Sequence, residues 1–101
     1  MTYRIILVEA ARADLREIAT YLRSAAGEGV AESLIEEIIH TAESLRTMPE
    51  RQRLRRELGP GLRALSAGNY ILFYRVIDNE VSILRVLHGS RNITPSLSTE
   101  L

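Results

Sequence analysis

The chain has 101 residues, of which 46% are hydrophobic and 26% charged, so length and composition fit a single globular domain over residues 1–101. It has no cysteine, which excludes disulfides, thiolate metal sites and a cysteine nucleophile. The net charge is zero, but residues 1–50 carry five arginines against nine carboxylates and residues 51–95 eight against three. We therefore expect a binding site for an acidic or anionic partner in the second half of the chain. The sequence has no apolar run long enough for a membrane span or a signal peptide, so we expect a cytoplasmic protein.

The chain begins with a predicted strand and a predicted helix. The segment "YRIILV" (3–8) is apolar and β-branched, which is typical of a strand. In residues 10–26 apolar side chains recur at spacings of three and four, which predicts an amphipathic helix of about four turns. We expect Gly27 and Gly29 to end it.

A second helix is predicted from about Val30 to Met48, because Pro49 forbids continuation. Its apolar residues cover an arc of about 180°, nearly twice the usual stripe of roughly 100°. Such a helix either lies deep in the core or offers a spare face to a partner. The arc contains Val30, Ala31, Leu34, Ile35, Ile38, Ile39, Ala42 and Leu45.

The second half predicts a strand meander. After the charged segment 50–58 and the turn signal "GPG", three strands are expected: 62–66, 70–77 and 81–88. Asp78 and Asn79 indicate a tight antiparallel hairpin between the last two. The polar tail, 92–101, is expected to be loosely ordered. The order β-α-α-β-β-β predicts an α+β domain, with a helical hairpin packed on a mainly antiparallel sheet.

Strand 70–77 is apolar on both faces. One face is expected to meet the helices. For the other face two explanations stay open: a strongly curled sheet closed by the tail or by the arginine-rich segment, or a surface for a partner.

The segment "VLHGSR" (86–91) places His88 at a predicted strand end. Histidine can act as a base near neutral pH, but no serine–carboxylate relay or second histidine accompanies it on the same element. We favour a structural histidine that bonds a backbone carbonyl. His40 is expected at the edge of a packed helix face. The two histidines, more than forty positions apart and without carboxylates at ligand spacing, predict no metal site, and no cofactor is expected.

Arginines inside apolar strands cost free energy unless they are paired or exposed. We expect those of the second half to line one accessible face, or a rim near the "HGSR" end of the last strand: Arg63, Arg75, Arg85 and Arg91. Tyr70 and Tyr74 either join this rim or pack in the core with bonded hydroxyls. The run Arg51, Arg53, Arg55 and Arg56 fits phosphate contacts, an acidic partner segment or a solvated face.

Four segments span nearly the whole chain: "AARADLREIATYL" (10–22), "LRTMPE" (45–50), "GLRALSAGNYILFYRV" (61–76) and "ILRVLHGSR" (83–91). In this order they resemble the ParE branch of the RelE/ParE superfamily of toxins from bacterial type II toxin–antitoxin systems. The resemblance implies the RelE/ParE-like α+β fold, a ParD-like antitoxin that wraps helices and sheet, and inhibition of DNA gyrase by binding. The antitoxin is expected on Leu34, Ile35, Ile38, Ile39, Arg53 and Arg56.

RelE-like members of the superfamily instead cut mRNA on the ribosome. Such cleavage needs a base, an acid and cations around the phosphorane, and arginine supplies only the cations. The RelE pattern has an arginine after the tyrosine that opens strand three, alternating basic residues on strand two and a tyrosine in the tail. Here Ile71 takes the first position, strand two offers only Arg63, and no tyrosine follows Tyr74.

We therefore expect a toxin that acts by binding rather than an enzyme, with mRNA cleavage as the alternative. A third hypothesis is an inert family member that only binds its antitoxin. If the chain is a ribonuclease, its catalytic candidates are Arg63, His88 and Arg91. If it binds gyrase, the candidates are Arg63, Tyr70, Arg75, Arg85, His88 and Arg91. Direct, specific nucleic-acid binding is not expected.

Overall fold

The computed structural model describes residues 2–90, so the predicted tail and Arg91 lie outside the described residues. The elements follow the predicted order. They are β1 (Arg4–Leu7), α1 (Glu9–Ala26), α2 (Glu28–Glu43), 3₁₀ turns at Ser44–Arg46 and Pro49–Arg51, β2 (Arg63–Ala67), β3 (Tyr70–Ile77) and β4 (Glu80–His88). None of the helices in this part of the chain is long and apolar enough to cross a membrane.

The four strands form one sheet in the order β1-β4-β3-β2. β3 pairs antiparallel with both β2 and β4, whereas β1 runs parallel to β4 at the edge. The mainly antiparallel α+β fold is confirmed. The predicted hairpin also forms, since Ile77 pairs with Glu80 and Asp78 takes φ 55° in the turn between them.

The second helix starts and ends earlier than predicted. It begins at Glu28, so Gly27 alone joins the helices, with φ 95° and its N–H donating to the carbonyls of Leu22 and Arg23. Gly29 lies in the first turn of α2, where the backbone remains helical. The helix ends at Glu43 rather than Met48, because the last turn tightens to a 3₁₀ turn before Pro49.

Both faces of the sheet are covered by apolar residues. The helices pack on one face, around Ile38, Leu72, Tyr74 and Ile83. On the other face Leu58 and Leu62 pack against Phe73 and Leu87. The chain that follows the arginine run thus closes part of the second face, as one of the two predicted explanations requires. Ile6 and Ile77 stay 38% and 57% exposed.

A β-bulge in β4 changes which side chains share a face. Phe73 pairs with Arg85 and Tyr74 with Ile83, which leaves Leu84 as the extra residue. As a result Leu84 packs with the second cluster, whereas Val86 packs with the helix-side core. Leu84 and Val86, which are two residues apart, therefore lie on opposite faces of the sheet.

Candidate functional site

Arg85 and Asp14 form a buried ion pair that holds α1 on the end of β4. The Arg85 Nε donates to Asp14 Oδ2 at 2.8 Å and the Nη2 to Oδ1 at 3.0 Å. Oδ2 also accepts the backbone N–H of Val86 at 2.9 Å. Because β1 ends at Leu7, opposite Ile83, this edge of β4 has no strand neighbour, and the carboxylate takes its place.

The expectation that Arg85 lies on an accessible rim was therefore wrong: its side chain is 15% exposed and that of Asp14 8%. Burial of a guanidinium requires such a bidentate partner. Sequence reasoning did not single out Asp14. The available signal was its place on the apolar stripe of α1, three residues after Ala11 and four before Ile18.

Arg63 and Tyr74 hold the loop that follows α2. Arg63 donates to the carbonyls of Gln52 and, at 3.3 Å, Glu50, and its side chain is only 15% exposed. The buried Tyr74 hydroxyl donates to Pro49 O at 2.6 Å. Burial raises the pKa of Tyr74 to about 12, although the Arg63 charge opposes the shift. Tyr74 is a core residue with a bonded hydroxyl, and Arg63 does not line an open rim.

Arg75 lies on the other face of β3 and fastens a different loop. Its Nε donates to Pro60 O at 2.7 Å, and its side chain packs beside Gly61, where φ is +71°. The predicted rim of strand arginines is thus not assembled among residues 2–90. Each described member is bound to a separate part of the fold.

His88 is exposed at the end of β4. Its Nδ1 lies 2.6 Å from Ser90 Oγ and accepts the backbone N–H of Ser90 at 3.1 Å. Because Nδ1 is an acceptor, the proton of the neutral ring lies on Nε2. The predicted bond to a backbone carbonyl was wrong: the histidine accepts from a backbone N–H.

The catalytic candidates Arg63 and His88 are far apart. In the sheet, Arg63 lies opposite Tyr74 of β3, whereas His88 lies opposite Tyr70. Tyr74 and Tyr70 are four residues apart along β3, a distance of roughly 13 Å. In residues 2–90, His88 has no carboxylate partner. The same part of the chain holds no group of three or more histidine and carboxylate side chains that suits a metal ion.

A groove of about 490 Å³ lies between α1 and α2. Apolar residues line its floor, with Leu15 and Ala19 from α1 and Ala31 and Ile35 from α2. The rims carry opposite charge: arginines on α1 and glutamates on α2. They are Arg16, Arg23, Glu28, Glu32 and Glu36. An apolar floor between charged rims suits an amphipathic helix.

The predicted antitoxin contacts lie in different parts of the structure, and their exposure differs. Ile35 lines the groove, and Leu34 packs partly buried against the core. Ile38 is 2% exposed, so it belongs to the core, while Ile39 is 47% exposed. Arg53 and Arg56 are exposed, and neither forms an ion pair with a described carboxylate. Their neighbour Arg55 is paired with Glu57 at 2.7 Å.

Residues 5–93 match the family model of the ParE toxin of the type II toxin–antitoxin system parDE. The chain belongs to the ParE toxin family. It is also 35% identical to Toxin ParE1 of Mycobacterium tuberculosis over 98 residues, which are 96% of this chain and all of the relative. The chain is thus a type II toxin–antitoxin toxin of the ParE family.

Solved structures of related toxins share the fold of this ParE-family chain. The chromosomal ParDE system of P. aeruginosa superposes with a TM-score of 0.77 at 22% identity, over 86% of this chain and 96% of the other. The RelBE2 toxin–antitoxin complex of Mycobacterium tuberculosis gives 0.65 at 28%, over 90% and 95%. A mutant of E. coli RelE in the free state gives 0.68 at 20%, over 99% and 97%. The fold is therefore common to both branches of the superfamily.

Proposed function

We propose that this ParE-family toxin inhibits DNA gyrase by binding and that a ParD-like antitoxin neutralises it. The gyrase assignment rests on membership of the ParE family. The observation that favours binding over catalysis is the separation of Arg63 from His88. A general base and the arginine that would stabilise a phosphorane need to converge on one phosphate, and here they lie on different parts of the sheet.

The α1–α2 groove is the proposed antitoxin site. Solved relatives include a ParDE system and a RelBE2 toxin–antitoxin complex, which supports a protein partner for this chain. A partner helix would place apolar side chains at i and i+4 on the Ile35 side of the groove, between the two charged rims. Arg53 and Arg56, which are exposed and form no ion pair within residues 2–90, are proposed to meet acidic residues of the same antitoxin.

Purified toxin, gyrase, ATP and supercoiled plasmid test the target. After quenching with detergent and protease, a gyrase poison leaves linear DNA. We expect linear product only when both proteins are present, and its loss when antitoxin is added in excess. Normal supercoiling without linear product, from folded toxin, would overturn the gyrase assignment.

Ribosomes translating a defined mRNA provide the control for the alternative. A binding toxin leaves the message intact at concentrations that produce linear plasmid. Discrete, ribosome-dependent cuts in the mRNA would instead favour a RelE-type ribonuclease. In that case Arg91, which follows the described residues, would be the first candidate to replace.

A further inference from the structure

A second cavity, of about 290 Å³, lies on the other flank of α1 from the groove. Glu17, Ile18 and Tyr21 line it from the helix, and Tyr70, Leu87 and His88 from the sheet. Glu17 and Tyr21 are one helical turn apart, so they share a face of α1. Tyr70 and His88 are cross-strand neighbours at the ends of β3 and β4. We call this the aromatic–acidic cavity.

Its aromatic walls are ordered by contacts within the fold. The rings of Tyr70 and His88 meet edge to face, with centroids 5.1 Å apart and an interplanar angle of 87°. The backbone N–H of Ser90 fixes the His88 ring through Nδ1, which leaves Nε2 as the other ring nitrogen available for contact. Tyr21 is 66% exposed and forms the outer wall.

Two polar groups of the cavity have no partner in the described part of the chain. Tyr70 is 8% exposed, yet its hydroxyl makes no hydrogen bond with residues 2–90. In residues 2–90 every fully buried side-chain oxygen or nitrogen has a hydrogen-bond partner. The Tyr70 hydroxyl has none, so it is not fully buried, and it reaches solvent through the cavity that Tyr70 lines. Glu17 makes no ion pair with the described residues, whereas the neighbouring Asp14 is bound to Arg85.

Burial, followed by the nearby Tyr21 phenol, raises the pKa of Tyr70, so its hydroxyl stays protonated at neutral pH. The cavity thus combines one uncompensated carboxylate with aromatic faces and a phenol that both donates and accepts. This chemistry attracts a cation. A planar guanidinium suits it better than an ammonium, because it can stack on a ring and bond a carboxylate at the same time.

We propose that the aromatic–acidic cavity binds the guanidinium of an arginine side chain from a protein partner. Glu17 pairs with the charge, Tyr21 stacks on the guanidinium plane, and the Tyr70 hydroxyl accepts one N–H. The site is distinct from the proposed antitoxin groove, since it lies on the opposite flank of α1 and none of its lining residues lines the groove.

The test titrates N-acetyl-arginine amide into the full chain and follows the ring signals of Tyr21, Tyr70 and His88 by NMR. We expect saturable shifts of all three at millimolar probe. The neutral isostere N-acetyl-citrulline amide should bind at least about tenfold more weakly, and N-acetyl-lysine amide about threefold, because a charged, planar group is required. Equal shifts with citrulline, or none with arginine, would overturn the proposal.

Matched variants locate the site. Glu17→Gln keeps the size of the side chain and should weaken the arginine probe at least about fivefold through loss of one charge contact. Glu36→Gln, on the rim of the groove, is the control and should leave the affinity unchanged. Equal weakening by both variants would indicate a general charge effect and contradict a site at Glu17.

Arg91 is the nearest arginine in sequence that lies outside the described residues, and it offers a second control. If the probe binds only after Arg91→Gln, the natural occupant is the arginine of this chain, and the assignment to a partner is wrong. If wild type and Arg91→Gln bind the probe equally, the cavity is free to receive an arginine from another protein.

Discussion

Two buried arginines of the sheet and two exposed glutamates of the groove differ in whether they are bonded within the chain. In the sheet, the side chains of Arg63 and Arg85 are each 15% exposed. Arg63 donates to backbone carbonyls and Arg85 to a carboxylate of the same chain. Along the groove, Glu32 and Glu36 are exposed and make no ion pair with residues 2–90. A guanidinium inside a sheet must be bonded to be tolerated, whereas a carboxylate on a helix flank is free to meet a partner.

The largest expected effect comes from breaking the buried pair. Asp14→Ala removes the carboxylate that accepts from the Arg85 guanidinium and from the Val86 N–H. We expect a loss of about 3–5 kcal/mol in the free energy of unfolding, measured by urea denaturation followed by circular dichroism. Glu17→Ala, on an unpaired carboxylate of the same helix, should change it by less than about 0.5 kcal/mol. A loss below about 1 kcal/mol for Asp14→Ala would show that the buried carboxylate stabilises the fold little more than an exposed one does.

Tyrosines offer the same contrast at a smaller scale. Tyr74→Phe leaves the Pro49 carbonyl without its buried donor and should cost about 1–3 kcal/mol. Tyr21→Phe changes a side chain that is 66% exposed and should be nearly neutral. Both are read from the urea midpoint at pH 7. Equal midpoints for the two variants would show that the loop bond does not stabilise the fold.

The same residue predicts a loss of stability in alkali. The folded state raises the pKa of Tyr74 from 10.0 to about 12, because burial disfavours the phenolate. The contribution of the protonated hydroxyl is complete below pH 10 and disappears as the pH rises through about 12, at up to about 1.4 kcal/mol per pH unit. Unfolding free energies measured from pH 8 to 11 should fall more steeply for the wild type than for Tyr74→Phe. Parallel curves would contradict the buried, bonded hydroxyl.

The smallest effect is expected at the exposed pair at one end of the groove. Arg23 Nε lies 2.8 Å from Glu28 Oε2, but the side chains are 53% and 65% exposed. Arg23→Gln should change the free energy of unfolding by less than about 0.5 kcal/mol, because solvent screens the pair. A loss above about 1 kcal/mol would show that this exposed pair stabilises the fold as the buried arginine contacts of the sheet do.

Much of the fold follows from local sequence signals. The spacing of Ala11, Leu15 and Ile18 predicts α1, and the Asp78–Asn79 turn predicts the antiparallel β3–β4 hairpin. The end of α2 was misplaced because Pro49 marks the last position a helix can reach, not the position where it stops. No local sequence signal predicts the bulge at Leu84, because the bulge depends on how side chains pack on both faces of the sheet.

The site was less predictable from sequence, for a physical reason. The residue type of Arg85 is visible in the sequence, but its partner Asp14 is 71 residues away and is brought close only by the packing of α1 on β4. Tyr70 and His88 were both named, but their contact depends on the bulge at Leu84, because the register set by the turn alone would place Leu87 opposite Tyr70. The groove was only partly predictable. The broad apolar arc of helix two indicated a spare face, but only the structure separates Ile35, which is partly buried and lines the groove, from the fully buried Ile38.

We expect Ile35 in the α1–α2 groove, the proposed antitoxin site, to contribute more to antitoxin affinity than an exposed side chain on the sheet. The direct measurement is the affinity of the antitoxin for the wild type, for Ile35→Asp in the groove and for Ile77→Asp, which changes an exposed isoleucine on β3. We predict that Ile35→Asp weakens binding about 10- to 100-fold, equivalent to losing about 1.5–3 kcal/mol of apolar burial, while Ile77→Asp leaves it unchanged. Unchanged affinity for a folded Ile35→Asp, or an equal loss for both variants, would contradict the account.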